Sequence, residues 1–292
     1  MSLIGTLDTA QSALSSFQQG LEVIGNNIAN VDTTGFKGSA ASYTDSFYNV
    51  LKGAAPAPAS GNGSATPAEE IGGGVGLANI SQDFTQGSIS STGVSTNLAI
   101  SGNGFFIVKD PASGTEYATR DGQFTTDASG YLVTSQGYRV QGLTGGSGSS
   151  APTTLGSIKL ATPPTGTSLQ SISFDAAGNL TESYSDGTTS TTNAVLLQNY
   201  SDPQALQSVG NNLYTNLASA APVGSSTLSA ANNTAGTQGL GNIQSGALEG
   251  SNVDLTAQFA AMITTQRSFE AASRLITVSD TILGDVTDLK RS

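Results

Sequence analysis

From Leu3 to Val31 the apolar positions Leu3, Leu7, Ala10, Leu14, Phe17, Leu21, Ile24, Ile28 and Val31 recur at alternating spacings of four and three, with Gln, Ser, Asp and Asn filling most of the rest. That is a heptad seam on an amphipathic helix. A narrow stripe stabilises little on an isolated helix, so the seam needs a partner, either this protein's own core or a coiled-coil strand of an assembly. Residues 252–291 repeat the theme: Leu255, Phe259, Met262, Phe269, Ile276 and Leu283 follow three-four spacing, interrupted at Gln266, Ser273 and Asp280. A second stripe of Leu275, Val278, Ile282, Val286 and Leu289 takes over toward the end. Asn252 or Asp254 suits the N-cap, and Lys290 and Arg291 complement the C-terminal dipole. Matching seams at the two ends of the chain predict that the helices pair.

Between the helices the period changes to two. GNGFFIV (102–108), GTEYATR (114–120), GQFTT (122–126), GYLVT (130–134), GYRVQG (137–142), GSIKLA (156–161), SISF (171–174), NLTES (179–183) and AVLLQNY (194–200) read as short strands bounded by Asp, Gly, Pro and Ser. They predict an antiparallel meander or small barrel. DASGYL (127–132) and DAAGNL (175–180) echo each other, and both read as hairpin turns in which Asp accepts local backbone hydrogen bonds and Gly takes positive φ. Stretches rich in Ala, Pro, Gly and Ser at 53–76, 144–154 and 218–242 read as linkers. The expected class is α+β: N- and C-terminal helices paired as a coiled-coil-like unit, with an antiparallel β-rich middle. The expected order is a helix and return loop (1–52), linker (53–76), β-rich domain (77–217), linker (218–245) and final helix (246–292).

Composition narrows the chemistry. The 292 residues include no Cys, His or Trp, which removes disulfides, thiolate and imidazole metal sites, and His-dependent nucleophilic relays. Gly, Ser and Thr together supply 111 residues, a share that fits turns, linkers and polar helix faces. The net charge of −11 is uneven: −2 over 1–52, −8 over 53–249 and −1 over 250–292. An acidic middle argues against nucleic acid or an anionic membrane as partner. No run approaches the roughly 18 apolar residues of a membrane span, and the start lacks the basic and apolar regions of a secretory signal.

Little in the sequence points to an active site. GGGVG (72–76) and GNG (102–104) lack the strand-to-helix setting of a phosphate loop. Neither Asp-Gly turn has the alternating acids of a calcium loop. Glu69, Glu70, Glu116 and Glu182 could in principle form a carboxylate pair, but their polar, turn-rich contexts predict no desolvated pocket. Tyr43, Phe47 and Tyr48 read as a returning loop packed on the first helix. No enzyme activity, metal or cofactor is expected.

The segment VIGNNIANVDTTGFKGSAASYTDSF (23–47) resembles the N-terminal signature of the flagellar rod and hook axial proteins, with Asn26, Asn27, Asn30, Gly35, Phe36 and Lys37 in the motif positions. Asn27 and Asn30 suit left-handed or capping geometry where the seam stops, and Gly35 permits the turn that returns Phe36 toward the helix. LAISGNGFFIVKD (98–110), YATRDGQFTTDASGYLVTSQGYRVQG (117–142), LQSVGNNLYTN (206–216) and the segment 246–291 resemble further family blocks. Their wording is closer to hook proteins. Only about 60 residues separate the first hairpin block from LQSVGNN, so the outer β domain of longer hook proteins is reduced or absent and the distal rod protein is the alternative, with a secreted β-rich adhesion or binding module a distant one. The resemblance implies a subunit exported unfolded by the flagellar type III apparatus, with no cleaved signal. It implies helical polymerisation with itself and contact with other axial proteins: rod, hook cap and hook-filament junction. Helices would line the channel and the β domain would face outward.

Overall fold

The structure, a computed structural model, describes residues 3–54, 65–146, 152–224 and 228–291, with 3, 4, 290 and 291 described for the backbone alone. The seam position Leu3 and the cations Lys290 and Arg291 therefore lie outside the described side chains. So do 55–64, 147–151 and 225–227 of the expected linkers. The chain forms two compact units: Met1–Ala29 with Ser39–Asp83 and Asp254–Ser292, and Asn30–Gly38 with Phe84–Val253.

The first unit pairs helices Leu3–Ala29 and Leu255–Arg291. Asp254 caps the second, its carboxylate accepting from the Thr256 amide at 2.8 Å. This decides the capping choice left open between Asn252 and Asp254. Strands Ser39–Asp45 and Val75–Gln82 pair antiparallel beside the helices, and Tyr48–Lys52 pairs with Glu69–Gly72. The strands at 69–72 and 75–82 fall partly in the stretch expected as linker. Ladder hydrogen bonds hold a segment whose composition alone reads as flexible.

In the second unit eight strands run antiparallel in the order Leu169–Phe174, Asn179–Tyr184, Thr189–Val195, Arg139–Thr144, Phe105–Lys109, Glu116–Thr119, Leu213–Thr215 and Gln207–Gly210, with shorter strands paired alongside. Phe105–Lys109 is central and covered on both faces. Phe106 and Val108 enter a core with Leu98, Phe124, Val140, Leu180 and Val195, while Phe105 and Ile107 enter a second with Tyr200, Leu206 and Tyr214. A doubly covered strand explains the unbroken FFIV run. Phe105 sits edge-on to Phe84, Tyr200 and Tyr214, with ring centroids 5.6 to 5.9 Å apart.

The two Asp-Gly turns share one geometry. Asp127 accepts from the Ser129 and Tyr131 amides, both at 2.8 Å, and Asp175 accepts from Ala177 and Asn179 at 3.0 and 2.8 Å. Gly130 and Gly178 take φ of +83° and +88°. Glu182 departs from expectation because it is fully buried. Along Asn179–Tyr184 the even positions Leu180, Glu182 and Tyr184 all point inward. The carboxylate is satisfied there by the Ala161 amide at 2.9 Å and the Tyr184 hydroxyl at 2.7 Å. Burial, and then that hydrogen bond, push the Tyr184 phenol up to about 12.

Candidate self-assembly surface

On the N-terminal helix the expected seam is half-buried: Leu7, Leu14, Phe17, Leu21, Ile24 and Ile28 all keep partial exposure, and Ala10 alone among the seam's described side chains is buried. The other fully covered positions are Ser16, Gly20 and Asn27. At 3.6 residues per turn these lie roughly a third of a turn from the Leu14, Leu21 and Ile28 line. Ser16 donates to the Val75 carbonyl at 3.2 Å, and Phe17 meets Tyr43 edge-on at 5.9 Å. A Cβ at Gly20 would overlap the Tyr43 hydroxyl and touch the Thr265 methyl at 3.9 Å. Small and polar side chains therefore make this helix's closest contacts.

Asn27 is the polar anchor of the unit. Its amide nitrogen donates to the Ser39 carbonyl at 2.7 Å and to Gln258 Oε1 at 3.2 Å, and its oxygen accepts from the Ser39 amide at 2.9 Å. The capping or left-handed role expected for Asn27 is corrected: the residue lies inside the helix, which continues to Ala29, and its backbone is not at positive φ. Its side chain satisfies the edge of a strand instead. Asn26 is exposed, and Asn30 accepts from the Thr33 hydroxyl at 3.1 Å just past the helix end.

Asn27 opposite Gln258, and Gly20 opposite Thr265, step by one heptad in opposite directions, so the helices run antiparallel. The same step carries Ala13, half-buried, to the level of Ala272. On the C-terminal helix the line Gln258, Thr265, Ala272 and Ser279 faces inward, with Met262, Ile276 and Leu283 half-buried next to it. Leu255, Phe259 and Phe269 of the expected seam are exposed, as are Ile263 and the whole second stripe, Leu275, Val278, Ile282, Val286 and Leu289. Helical geometry puts Leu255, Phe259 and Ile263 on one flank of the inward line and Leu275, Val278, Ile282 and Leu289 on the other, while Val286 continues the line one heptad beyond Ser279. Reading the large apolar residues found the stripes but missed the line that joins the helices. Its signal was the seven-residue recurrence of small and polar residues on both helices.

The motif residues Gly35, Phe36 and Lys37 belong to the second unit. Gly35 has φ +67°, its amide donates to the Glu249 carbonyl at 2.8 Å, and a Cβ there would lie 2.6 Å from the Asp121 nitrogen. Only glycine fits this turn. Phe36 is half-buried. Lys37 is 1% exposed and donates to Glu249 Oε1 at 2.6 Å and to the Thr85 carbonyl at 2.8 Å. Arg120 donates to Glu249 Oε2 at 3.2 Å, and the Gly87 amide donates to Oε1 at 3.0 Å. Asn252, released from capping, accepts from the Gly38 amide at 2.9 Å. One buried carboxylate thus joins the loop after the first helix, the central sheet and the strand Ala247–Glu249. Arg120 and Glu249 were assigned no role from sequence.

The chain thus combines a helix pair with uncovered apolar flanks and a β unit that takes in the segments just after the first helix and just before the last. The chain matches the flagellar hook protein FlgE/F/G D1 domain over residues 99–182, the flagellar basal body rod FlgEFG protein C-terminal family over 244–289 and the flagella basal body rod protein family over 7–37. It is 36% identical to the flagellar basal-body rod protein FlgG of Bacillus subtilis, across 99% of this chain and 100% of that one. It is 31% identical to FlgG of Borreliella burgdorferi over the same shares. The flagellar hook protein FlgE of Helicobacter mustelae is 42% identical over 140 residues, 48% of this chain and 31% of that protein. The chain belongs to the flagellar hook and basal-body rod family, and is a structural component of the flagellum.

Proposed function

We propose that this chain is a distal rod subunit of the flagellar basal body, polymerising helically into the shaft that transmits motor torque. The observation that carries the choice of rod over hook is end-to-end likeness to rod proteins, against a hook protein likeness confined to 31% of that protein's length. The hook reading, suggested by the wording of the motifs, now rests on that partial likeness. In the polymer the helices of many copies lie toward the axis, where the exposed stripes of the C-terminal helix and the half-covered seam of the N-terminal helix find partners. The β unit faces outward. Other axial proteins flank it, and the chain reaches the tip unfolded through the type III export apparatus. Among the described residues no helix is long and apolar enough to cross a membrane.

Electron microscopy of basal bodies from cells lacking the chain tests this. Rods cut short before their distal segment, with no hook, are expected. Full-length rods without hooks would assign the chain to the hook, and intact flagella would remove both readings.

A further inference from the structure

The second unit carries ten carboxylates and five cations. Lys37 and Arg120 are consumed inside the fold by Glu249. The remaining three cations, Lys109, Arg139 and Lys159, are brought together by strand register. Arg139 pairs with Lys109 across neighbouring strands, and Lys159 bridges Tyr131. The Arg139 guanidinium lies 3.9 Å from the centre of the Tyr131 ring, and the Lys159 ammonium lies 5.2 Å from it. Lys109 has a loose, exposed ion pair with Glu116 at 3.4 Å. Among the described residues no carboxylate lies within ion-pair distance of Arg139 or Lys159. Two open clefts, of about 340 and 450 Å³, flank the stack and share Ser157. The first is lined by Lys109 and Arg139 together with Asp110 and Glu116, so its charges balance, whereas the second is lined by Lys159 and Asn193 with no carboxylate in its lining.

We infer that the strip centred on Arg139 and Lys159, with Lys109 at its edge, is a docking surface for carboxylates of a second copy of this chain. The inference rests on the polymer reading above and adds an outer, electrostatic contact to the apolar contacts of the helices. Charge complementarity selects the occupant. Two copies of a chain at −11 repel through most pairs of faces, and a contact that sets this strip against another copy's acids reverses the sign locally. Tyr131 holds the two unpaired cations in place, which reduces the ordering cost of binding.

Zero-length carbodiimide coupling joins amines to carboxylates in contact. It would be applied to polymer isolated from cells that produce a mixture of isotopically light and heavy chain. Lys159 coupled to Asp or Glu of a different copy is the expected result, with the Lys109–Glu116 link within one copy as internal control. Lys159 left uncoupled in the polymer, or coupled equally in the monomer, would overturn the inference. In parallel, the double variant Arg139→Glu, Lys159→Glu should remain folded as a monomer, its melting lowered only by loss of the two cation–ring contacts, but need about tenfold more protein to polymerise. The parent polymer should loosen as salt rises from roughly 50 to 500 mM, and the variant's residual polymer should not. An unchanged polymerisation threshold overturns this inference alone. Binding of the monomer to dextran sulfate with that threshold unchanged would also overturn it, assigning the strip to a polyanion. A parent chain that forms no polymer at all overturns the underlying reading and this inference with it.

Discussion

Glu249 is the one carboxylate among the described residues that pairs with the two buried cations Lys37 and Arg120, and that charge count sets an order of damage. Glu249→Gln leaves Lys37 and Arg120 facing each other in a dry site and should cost about 3–5 kcal/mol. Lys37→Met leaves a neutral Arg120–Glu249 pair and should cost clearly less. Urea unfolding followed through the β unit's tyrosines checks the ranking, and an equal or reversed order would show that the cluster does not act through charge. Burial lowers the pKa of Arg120 with Glu249 opposing the shift, and the guanidinium stays charged. Tyr184 offers a pH test. Its phenol is raised from 10.0 to about 12 in the folded state, so between those pH values the folded protein retains a proton the unfolded chain has lost. Its contribution to stability is complete below pH 10 and falls as pH climbs toward about 12. Burial raises Tyr200 as well, adding in the same direction. Alkaline melting curves of the parent and of Tyr184→Phe should converge across that window. Little of this was legible in the sequence. Lys37 and Glu249 each stand alone among uncharged neighbours, but they are 212 positions apart, and periodicity does not pair residues at that distance.

The helices and the hairpins were legible for different reasons. Strict spacing revealed the helices, and the Asp-Gly turns follow local hydrogen-bonding rules that need no tertiary information. Where the helices touch was hidden, because the contact line consists of Gly20, Asn27, Gln258, Thr265, Ala272 and Ser279, small or polar residues that a search for hydrophobic stripes passes over. The large apolar residues were left for other surfaces. Ile282→Asp lies on the exposed stripe and should change the melting of the isolated chain by no more than about 0.5 kcal/mol, while sharply reducing polymer recovered by sedimentation. Loss of monomer stability instead would place Ile282 inside the single chain's fold. Leu14→Asp on the half-covered seam should also block assembly and spare the β unit, since a carboxylate there must be desolvated in the polymer.

At the scale of the molecule, the two units differ in what holds them. The β unit contains the large apolar clusters, whereas the fully covered apolar side chains described on the two long helices are Ala10 and Ala272. Local stability should follow that division. Hydrogen exchange on a verified monomer should show residues 5–29 and 255–289 exchanging well before Phe105–Lys109 and Arg139–Thr144, and the gap should close on polymerisation. Equal protection in the monomer would mean that the helix pair is complete without other copies. In the polymer proposed above, the uneven charge along the chain would acquire a direction: near-neutral helical ends toward the axis, an acidic β unit outside.

That radial order can be measured directly, because the chain contains no cysteine. Single thiols would be placed by Val278→Cys on the exposed helical stripe and by Ala128→Cys on a hairpin turn of the β unit. Maleimide labelling would then be compared between monomer and axial structures isolated from cells. The account predicts that both thiols label in the monomer, and that in the assembled structure Val278→Cys becomes protected while Ala128→Cys stays reactive. Equal labelling of Val278→Cys in both states, or protection of Ala128→Cys alone, would contradict it.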